Sequence, residues 1–261
     1  LKDGLCWDYY TVTWMEWNYK DGKLEGMSRK MEMPGQWGYK GSNGVISESS
    51  YKDNKLDGLS VEYQMDGSRK VVEKEINYKD GMREGSSKIY YENGKPAVVE
   101  SFAAGKRDGE SRWYYPDERP MWERVYKAGK LDGKMAIYTP SDALIAEGEY
   151  SGGKPKGQLK LYREVGKTFA VAEYKNGQLF AVTMPEMKMA PGSEGATKSS
   201  PAAVNVSVIF DEFARERLKD VILNATKIAP FKFLPKEDSM ELMELMELLE
   251  AIKPAEGGTE K

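Results

Sequence analysis

The chain has 261 residues, of which 31% are charged, yet its formal net charge is only −3. This balance excludes a strong overall field that would attract nucleic acid, and no run of about 18 apolar residues predicts a membrane span. The lack of histidine removes the commonest general base and the commonest metal ligand. The single cysteine, Cys6, excludes an internal disulfide and a zinc site built from several cysteines.

Residues 1–50 are predicted to form irregular N-terminal repeats that cap the fold, because terminal units of a repeat array are often atypical. Trp7 and Trp14 lie in an aromatic stretch typical of strands, and Asn43-Gly44 marks a turn. The opening Leu1-Lys-Asp-Gly4 resembles the end of one more repeat. We therefore expect an upstream segment, with a removed signal peptide among its explanations.

Residues 51–180 are predicted to form a regular array of one repeated unit. The pattern aromatic-x-x-Gly-Lys-x-x-Gly recurs with a step of 24 residues from Tyr78 onward. A fixed period of this size is typical of an array of one supersecondary unit. The copies begin at Tyr19, Tyr51, Tyr78, Phe102, Tyr126, Tyr150 and Tyr174.

Each unit is predicted to contain two short strands and two tight turns. Asn93-Gly94 and Asp66-Gly67 are examples of the mid-unit turn, since Asn-Gly and Asp-Gly supply the positive φ angles of a tight hairpin. Short strands joined in this way pair antiparallel with their neighbours. The predicted fold class is therefore mainly β, a single-layer antiparallel meander of hairpin repeats. Asn54 and Pro155 depart from the repeat pattern and leave the local turn shape open.

Five tyrosines occupy one position in successive units, five residues after the second glycine. They are Tyr63, Tyr90, Tyr114, Tyr138 and Tyr162. We predict that they form an aromatic ladder in the core of the sheet, and binding of sugars or bases is the alternative. The opposite, solvated face is predicted to carry Lys88, Arg112, Glu123 and Lys160. A sheet with one apolar face needs something over that side.

The turns also carry charges of both signs. The acidic turn residues are Asp21, Asp57, Glu84, Asp108 and Asp132. They lack the dense oxygen-ligand pattern of calcium loops, so we predict solvated carboxylates. The basic turn residues are Lys23, Lys55, Arg83, Lys106, Arg107, Lys130 and Lys154. Neighbouring acids offset them, which favours a solvated edge over contact with anionic lipid.

The C-terminal part differs in kind from the repeats. Residues 181–203 are predicted to be a flexible linker, 204–253 a strand followed by two helices, and 254–261 a disordered tail. The second helix carries an apolar stripe that includes Leu242, Leu245, Met246 and Leu249. This helix is predicted to fold over the apolar side of the sheet, and docking on a partner is the alternative.

The repeated Tyr-x-x-Gly-Lys-x-x-Gly pattern, followed by the aromatic position and Asn-Gly-Lys, resembles the MORN repeat. The similarity is closest to the bacterial variant form found in antitoxin-like proteins, and it covers roughly residues 15–180 in about six or seven copies. The resemblance implies a curved antiparallel sheet that serves as a scaffold or docking surface, with no catalytic centre. Separately, Pro230-Phe-Lys-Phe-Leu-Pro235 after a strand and a helix resembles the C-terminal domain of TonB-like energy transducers.

These patterns favour a non-enzymatic repeat scaffold that binds another protein, with no cofactor, no metal and no nucleic acid. The expected contacts are the five tyrosines and the stripe that contains Leu242 and Leu249. The alternative is a peripheral envelope or membrane-surface module with a TonB-like domain. An enzyme ranks last, because carboxylates, tyrosine or lysine alone would have to act as acid and base. A bacterial envelope location, in the periplasm or at the surface, is slightly favoured over the cytoplasm.

Overall fold

The structure is a computed structural model that describes residues 2–10, 13–32, 44–66, 69–164 and 166–183. The predicted C-terminal strand and helices, including Leu242, Leu245, Met246 and Leu249, lie outside the described residues, as do the tail and most of the linker. The chain divides into two compact units. The first comprises Leu1–Arg119 and Glu123–Leu131, and the second comprises Pro120–Trp122 and Asp132–Lys261.

Across the described residues the chain forms sixteen strands and no helix. They are β1 (Gly4–Tyr9), β2 (Thr13–Lys20), β3 (Lys23–Leu24), β4 (Gly26–Glu32), β5 (Val45–Lys52), β6 (Lys55–Asp66), β7 (Arg69–Lys79), β8 (Met82–Tyr90), β9 (Pro96–Ala103), β10 (Lys106–Tyr114), β11 (Pro120–Lys127), β12 (Lys130–Tyr138), β13 (Leu144–Ser151), β14 (Lys154–Glu164), β15 (Lys167–Lys175) and β16 (Gln178–Thr183).

The fold is mainly β and consists of antiparallel meanders, as the sequence predicts. In the first unit the hydrogen-bonded order is β1-β2-β4-β5-β6-β7-β8-β9-β10, and the short β3 pairs with β2 outside this path. In the second unit the order from β12 to β16 again follows the chain. Apart from the short β3, the strands within each of these orders pair with their neighbours in sequence, which is the expected result of short strands and tight turns.

The turns at the Lys-Asp-Gly motifs are two-residue hairpin loops with positive φ at both central residues. Asp80 and Gly81 have φ angles of 50° and 85°, and Ala128 and Gly129 have 50° and 83°. This is the pattern of a type I′ turn, whose twist matches that of the flanking strands. Asn54 keeps the same shape with a φ of 67°, so the loss of glycine there does not change the turn.

The opening aromatic residue of each copy lies directly opposite the second glycine of the preceding copy. Gly58 pairs with Tyr78 and Gly85 with Phe102 in the first unit. Gly4 pairs with Tyr19 in the same way, so Gly4 occupies the position of a second glycine. Further pairs of this kind are Gly26 with Tyr51, Gly133 with Tyr150 and Gly157 with Tyr174.

Successive turns are hydrogen-bonded to one another through the backbone. The N–H of Gly81 donates to the carbonyl oxygen of Leu56 at 2.8 Å, and the N–H of Gly129 donates to that of Arg107 at 2.8 Å. The same bond joins Gly22 to Lys2, Asn54 to Leu24 and Gly105 to Arg83. These bonds connect each copy to the one before it. They also give a partner to backbone groups that would otherwise be exposed at the hairpin ends.

The acidic turn residues reinforce these connections. An Asp108 carboxylate oxygen accepts the N–H of Ala128 at 2.9 Å, and an Asp132 oxygen accepts the N–H of Gly152 at 2.9 Å. Equivalent bonds are donated by backbone N–H groups to carboxylate oxygens: Asp53 to Glu25, Asp80 to Asp57 and Ala104 to Glu84. The predicted solvated carboxylates therefore also have a structural role, because Asp57, Glu84, Asp108 and Asp132 each accept a backbone N–H of the next turn.

Asp21 does not belong with these acidic residues. It lies inside its own turn with a φ of 52°, and Glu25 occupies the position equivalent to Asp57. Arg107 likewise differs from the solvated lysines of the turns, since its side chain is only 9% exposed and pairs with Glu100. The sequence pattern alone did not distinguish Asp21 from Asp57, or Arg107 from the turn lysines, because all of them lie within the same short motif.

One side of the sheet in each unit, here called the buried face, holds the apolar core. In the first unit it includes Val98, Phe102 and Trp113 together with the buried Glu100. In the second unit it includes Ile137, Ala146, Leu161 and Ala170. In three copies the residue that precedes the repeated tyrosine is buried, namely Trp113, Ile137 and Leu161.

The repeated tyrosines themselves lie on the other side, here called the charged face. Tyr90 follows Lys88 by two residues, and Tyr162 follows Lys160 by two residues, so each pair shares one face of its strand. All five tyrosines are half-buried. The prediction that they form the core and oppose Lys88, Arg112 and Lys160 is therefore wrong, since side chains alternate with a period of two.

Candidate protein-docking face

The charged face of the first unit is a row of mixed charges that crosses the strands. Register places its members opposite one another on consecutive strands. They are Glu16, Arg29, Glu48, Val61, Glu75, Lys88, Val99 and Arg112. Because opposite charges stand on neighbouring strands at several of these positions, the row stabilises the sheet across its strands.

The repeated tyrosines donate hydrogen bonds to glutamates of this row. Tyr63 Oη lies 2.8 Å from a Glu48 carboxylate oxygen, and Tyr90 Oη lies 2.7 Å from one of Glu75. In the second unit, Tyr162 Oη lies 2.7 Å from Glu147. The tyrosines on alternate strands are about 9.6 Å apart, so their rings do not form the predicted stack.

Sequence reasoning missed these glutamates, although a signal for them was present. Each bonded glutamate stands 15 residues before its tyrosine. Val99 occupies that position relative to Tyr114, so the third copy replaces the carboxylate by an apolar side chain. A search for a second residue at constant spacing from the tyrosines would have found the pattern.

These hydrogen bonds change the acidity of both partners. Burial and the bond to a carboxylate raise the pKa of Tyr63, Tyr90 and Tyr162 to about 12. The Tyr162 hydroxyl lowers the pKa of Glu147. Burial opposes ionisation of Glu48, but the bonds from Tyr63 and Arg29 outweigh it and lower its pKa. At neutral pH, Tyr63 and Tyr162 are thus neutral, and Glu48 and Glu147 are ionised.

The densest part of the row is a chain of four hydrogen-bonded side chains. Arg29 Nη1 lies 3.1 Å from Glu16 Oε1, and Arg29 Nε lies 3.0 Å from Glu48 Oε1. Tyr63 completes the chain through the other oxygen of Glu48, and Lys70 Nζ lies 3.8 Å from the centre of the Tyr63 ring. Each charge therefore has a partner before any other molecule binds, which lowers the cost of covering the face.

An exposed apolar row runs beside these charges. Leu5, Met27 and Leu59 directly follow the second glycine of their copies, and their side chains are 50%, 44% and 43% exposed. They stand on β1, β4 and β6, which alternate in the sheet with β2 and β5. Trp7 pairs with Glu16 of the charged row, so Leu5, Met27 and Leu59 each lie two residues before a residue of the charged face (Trp7, Arg29 and Val61) and point to that side. Trp7, 40% exposed, extends the row on β1.

The apolar row belongs to the first copies only. At the equivalent position, the later copies carry Ser86, Glu110, Lys134 and Gln158. The charged face of the second unit is correspondingly polar, and Lys160 Nζ lies 3.2 Å from Glu147 Oε1. The repeat pattern does not predict this difference, because it specifies the second glycine of each copy and not the residue type that follows it.

The buried face holds a polar cluster of a different kind. Glu100 Oε1 accepts hydrogen bonds from Arg107 Nε at 3.0 Å and from Ser111 Oγ at 2.8 Å. All three side chains are buried. The cluster contains a single carboxylate, and that carboxylate is held by two donors, so the arrangement is that of a satisfied buried ion pair.

Among the residues that the structure describes, no group of three or more His, Cys, Asp or Glu side chains is placed to hold a metal ion. The same residues contain no helix long and apolar enough to cross a bilayer. Of the predicted partner-binding residues, the structure places the five tyrosines on the charged face, and the four apolar residues of the C-terminal stripe lie outside the described ranges. Comparison with known proteins assigns no family: no family model matches the chain, and no curated protein is similar to it.

Proposed function

We propose that the chain is a non-catalytic repeat scaffold of the MORN type that binds another protein on the charged face of its first unit. The observation that carries this proposal is the apolar row of Leu5, Met27 and Leu59 beside side chains that are already paired. The sequence pattern supports the MORN assignment through the repeated glycines and aromatic residues.

The composition of this surface suits a protein partner. Three large apolar side chains, each more than two-fifths exposed, lie in one row. Contiguous exposed apolar groups of this kind are typical of interaction sites, and a polar rim is typical of interfaces between proteins. The charged row with Arg29 and Tyr63 supplies such a rim, and its existing ion pairs leave few unpaired charges to desolvate.

The spacing of the apolar row restricts the partner's shape. Residues on alternate strands are about 9.6 Å apart. Residues seven apart on a helix are separated by about 10.5 Å. The proposed partner therefore presents a helix with an apolar stripe that lies across the strands from Leu5 toward Leu59.

The test is capture of binding partners by the full chain, followed by quantitative binding of the captured protein. Replacement of Leu5, Met27 and Leu59 by serine, the residue that stands at this position as Ser86, is expected to weaken binding about 30-fold, because loss of an interface hot spot costs about 2 kcal/mol.

The control variant is Met82→Ser with Phe180→Ser, which removes two apolar side chains of similar exposure, 49% and 48%, from other positions. It is expected to bind as the parent does. A third variant replaces Leu242, Leu245 and Leu249 by serine. If only this third variant lost the partner, the C-terminal segment would be the docking element and the proposed face would be wrong.

A further inference from the structure

The charge of the hairpin turns changes along the chain. In the first three turns, the first of the two central residues is acidic: Asp21, Asp53 and Asp80. Later turns carry Ala104, Ala128, Gly152 and Asn176 at that place. The first three copies, 19–26, 51–58 and 78–85, each carry two basic and two acidic residues, whereas every later copy carries more basic than acidic residues.

The excess is largest in the turn between β13 and β14, and the last turn carries a lysine and no acidic residue. The turn between β13 and β14 carries Lys154 and Lys156 without an acidic residue in Ser151–Gly157, and the next turn carries Lys175. All three lysines are exposed. Together with Phe180 they form a surface that we call the basic corner.

Contacts hold the basic corner together. A Cβ added at Gly177 would lie 2.7 Å from Lys154 Cδ, so the Lys154 side chain packs over the following turn. Lys175 Nζ lies 3.3 Å from the centre of the Phe180 ring, which is itself 48% exposed. Lys156 Nζ lies 3.5 Å from Glu149, an ion pair of two exposed side chains that solvent screens. The corner thus combines an apolar ring with ammonium groups.

We propose that the acidic segment 237–250 of the same chain binds the basic corner. The segment alternates carboxylates with leucine and methionine, which complements ammonium groups beside Phe180. Its carboxylates are Glu237, Asp238, Glu241, Glu244, Glu247 and Glu250. The segment lies outside the described residues.

The length of the intervening chain permits this contact. Some 53 residues, 184–236, separate the end of β16 at Thr183 from the segment. A chain of this length can span up to about 180 Å at about 3.4 Å per residue, so every point of the corner is within reach. Because both partners belong to one chain, tethering raises the effective concentration of an otherwise weak contact.

The test uses the full chain with a nitroxide label on Met246→Cys in a Cys6→Ser background. Paramagnetic broadening of backbone amide signals by NMR reports which residues lie near the label. We expect broadening at Gly153 and Gly177 at about 50 mM salt and its loss at about 500 mM, since screening lengths fall from over 10 Å to a few ångströms.

Matched charge reversals separate the corner from general electrostatics. The variant K154E/K156E/K175E is expected to lose the broadening, whereas K20E/K52E/K55E, which changes as many exposed lysines in the first turns, is expected to retain it. Broadening that persists in the first variant, or that never occurs at low salt, overturns the proposal.

Two other occupants are distinguished in the same experiment. A mixture of isotope-labelled chains without nitroxide and unlabelled chains with nitroxide detects contact between copies. Broadening of the same amides in that mixture would assign the segment to a second copy and overturn the intramolecular contact. Absence of broadening, together with binding to anionic vesicles that K154E/K156E/K175E abolishes, would assign the corner to lipid instead.

Discussion

Two arginine–glutamate pairs of the same geometry stand on the two faces of the first unit. Arg107 Nε lies 3.0 Å from Glu100 Oε1, and Arg29 Nε lies 3.0 Å from Glu48 Oε1. The first pair is 9% and 6% exposed, and the second is 41% and 25% exposed. The contacts are alike, but the surroundings differ, so their contributions to stability differ as well.

The distance between the charged groups alone therefore does not determine how much an ion pair contributes to stability. On the buried face, loss of one partner leaves a charge in a medium that cannot solvate it. On the charged face, water replaces the lost partner at little cost. Ion pairs of the buried face are therefore expected to determine whether the sheet folds, and those of the charged face to determine what it binds.

The sharpest test of this comparison is Glu100→Gln against Glu48→Gln. We expect Glu100→Gln to lower the free energy of unfolding by about 3 kcal/mol or more, because Arg107 stays buried without its carboxylate. Glu48→Gln should cost below about 1 kcal/mol. Chemical denaturation measures both. Equal losses for the two variants would show that burial does not distinguish the pairs.

The carboxylates at the turns extend the comparison to the edge of the sheet. Asp108→Ala removes the acceptor of the Ala128 N–H and should cost about 1 kcal/mol. Asp21→Ala is the control, because Asp21 lies within its own turn. Its loss of stability should be smaller, once the strain of alanine at the positive φ of this position is subtracted. Thermal unfolding of both variants tests this. A neutral Asp108→Ala would mean that the bond between turns adds nothing.

The Tyr63 hydroxyl tests the charged face at high pH. The folded pKa of about 12 exceeds the ordinary value of 10.0, so the neutral phenol stabilises the fold fully below pH 10 and loses this contribution as pH rises through 12. Tyr63→Phe should cost up to about 1 kcal/mol at neutral pH. The gap between parent and variant should close between pH 10 and 12 in urea titrations. A gap that stays constant over that range contradicts the assignment.

The smallest expected change is a gain. Ala128 has a φ of 50°, which is unfavourable for a residue with a Cβ and common for asparagine. Ala128→Asn should raise stability by about 0.5 kcal/mol while leaving the N–H bond to Asp108 in place. Differential scanning calorimetry measures the gain. Combination with Asp108→Ala shows whether the two effects add, as independent terms would.

The repeat and its hairpins could be predicted because they depend on local signals. Paired turn residues such as Asp80-Gly81 adopt positive φ angles by themselves, and a step of 24 residues predicts identical units. The face of the tyrosines was also encoded, since alternation places Tyr90 with Lys88, yet aromatic character suggested a core position. Here the hydrogen bond from the Tyr90 hydroxyl to Glu75 on the neighbouring strand keeps the ring on the charged face.

The buried Glu100–Arg107 pair could not be read from the sequence in the same way. Arg107 stands in the same motif place as Leu56, Leu131 and Arg83, so the motif itself does not specify an apolar or a charged residue there. Only the three-dimensional register brings it to Glu100, seven positions earlier on the facing strand. The apolar row was missed for a related reason, because Leu5, Met27 and Leu59 are distant in the chain and share only a preceding glycine.

The hydrogen bond from each turn glycine to the preceding copy has a consequence for how such a chain can evolve. Gly105 and Gly129 each reach a carbonyl 22 residues earlier, at Arg83 and Arg107. After duplication or deletion of a whole unit, every turn N–H still has a carbonyl acceptor in the preceding copy. An insertion between a glycine and its acceptor leaves one backbone N–H at a hairpin turn without that acceptor. Gene lengthening in complete modules is thus the change that this architecture tolerates best.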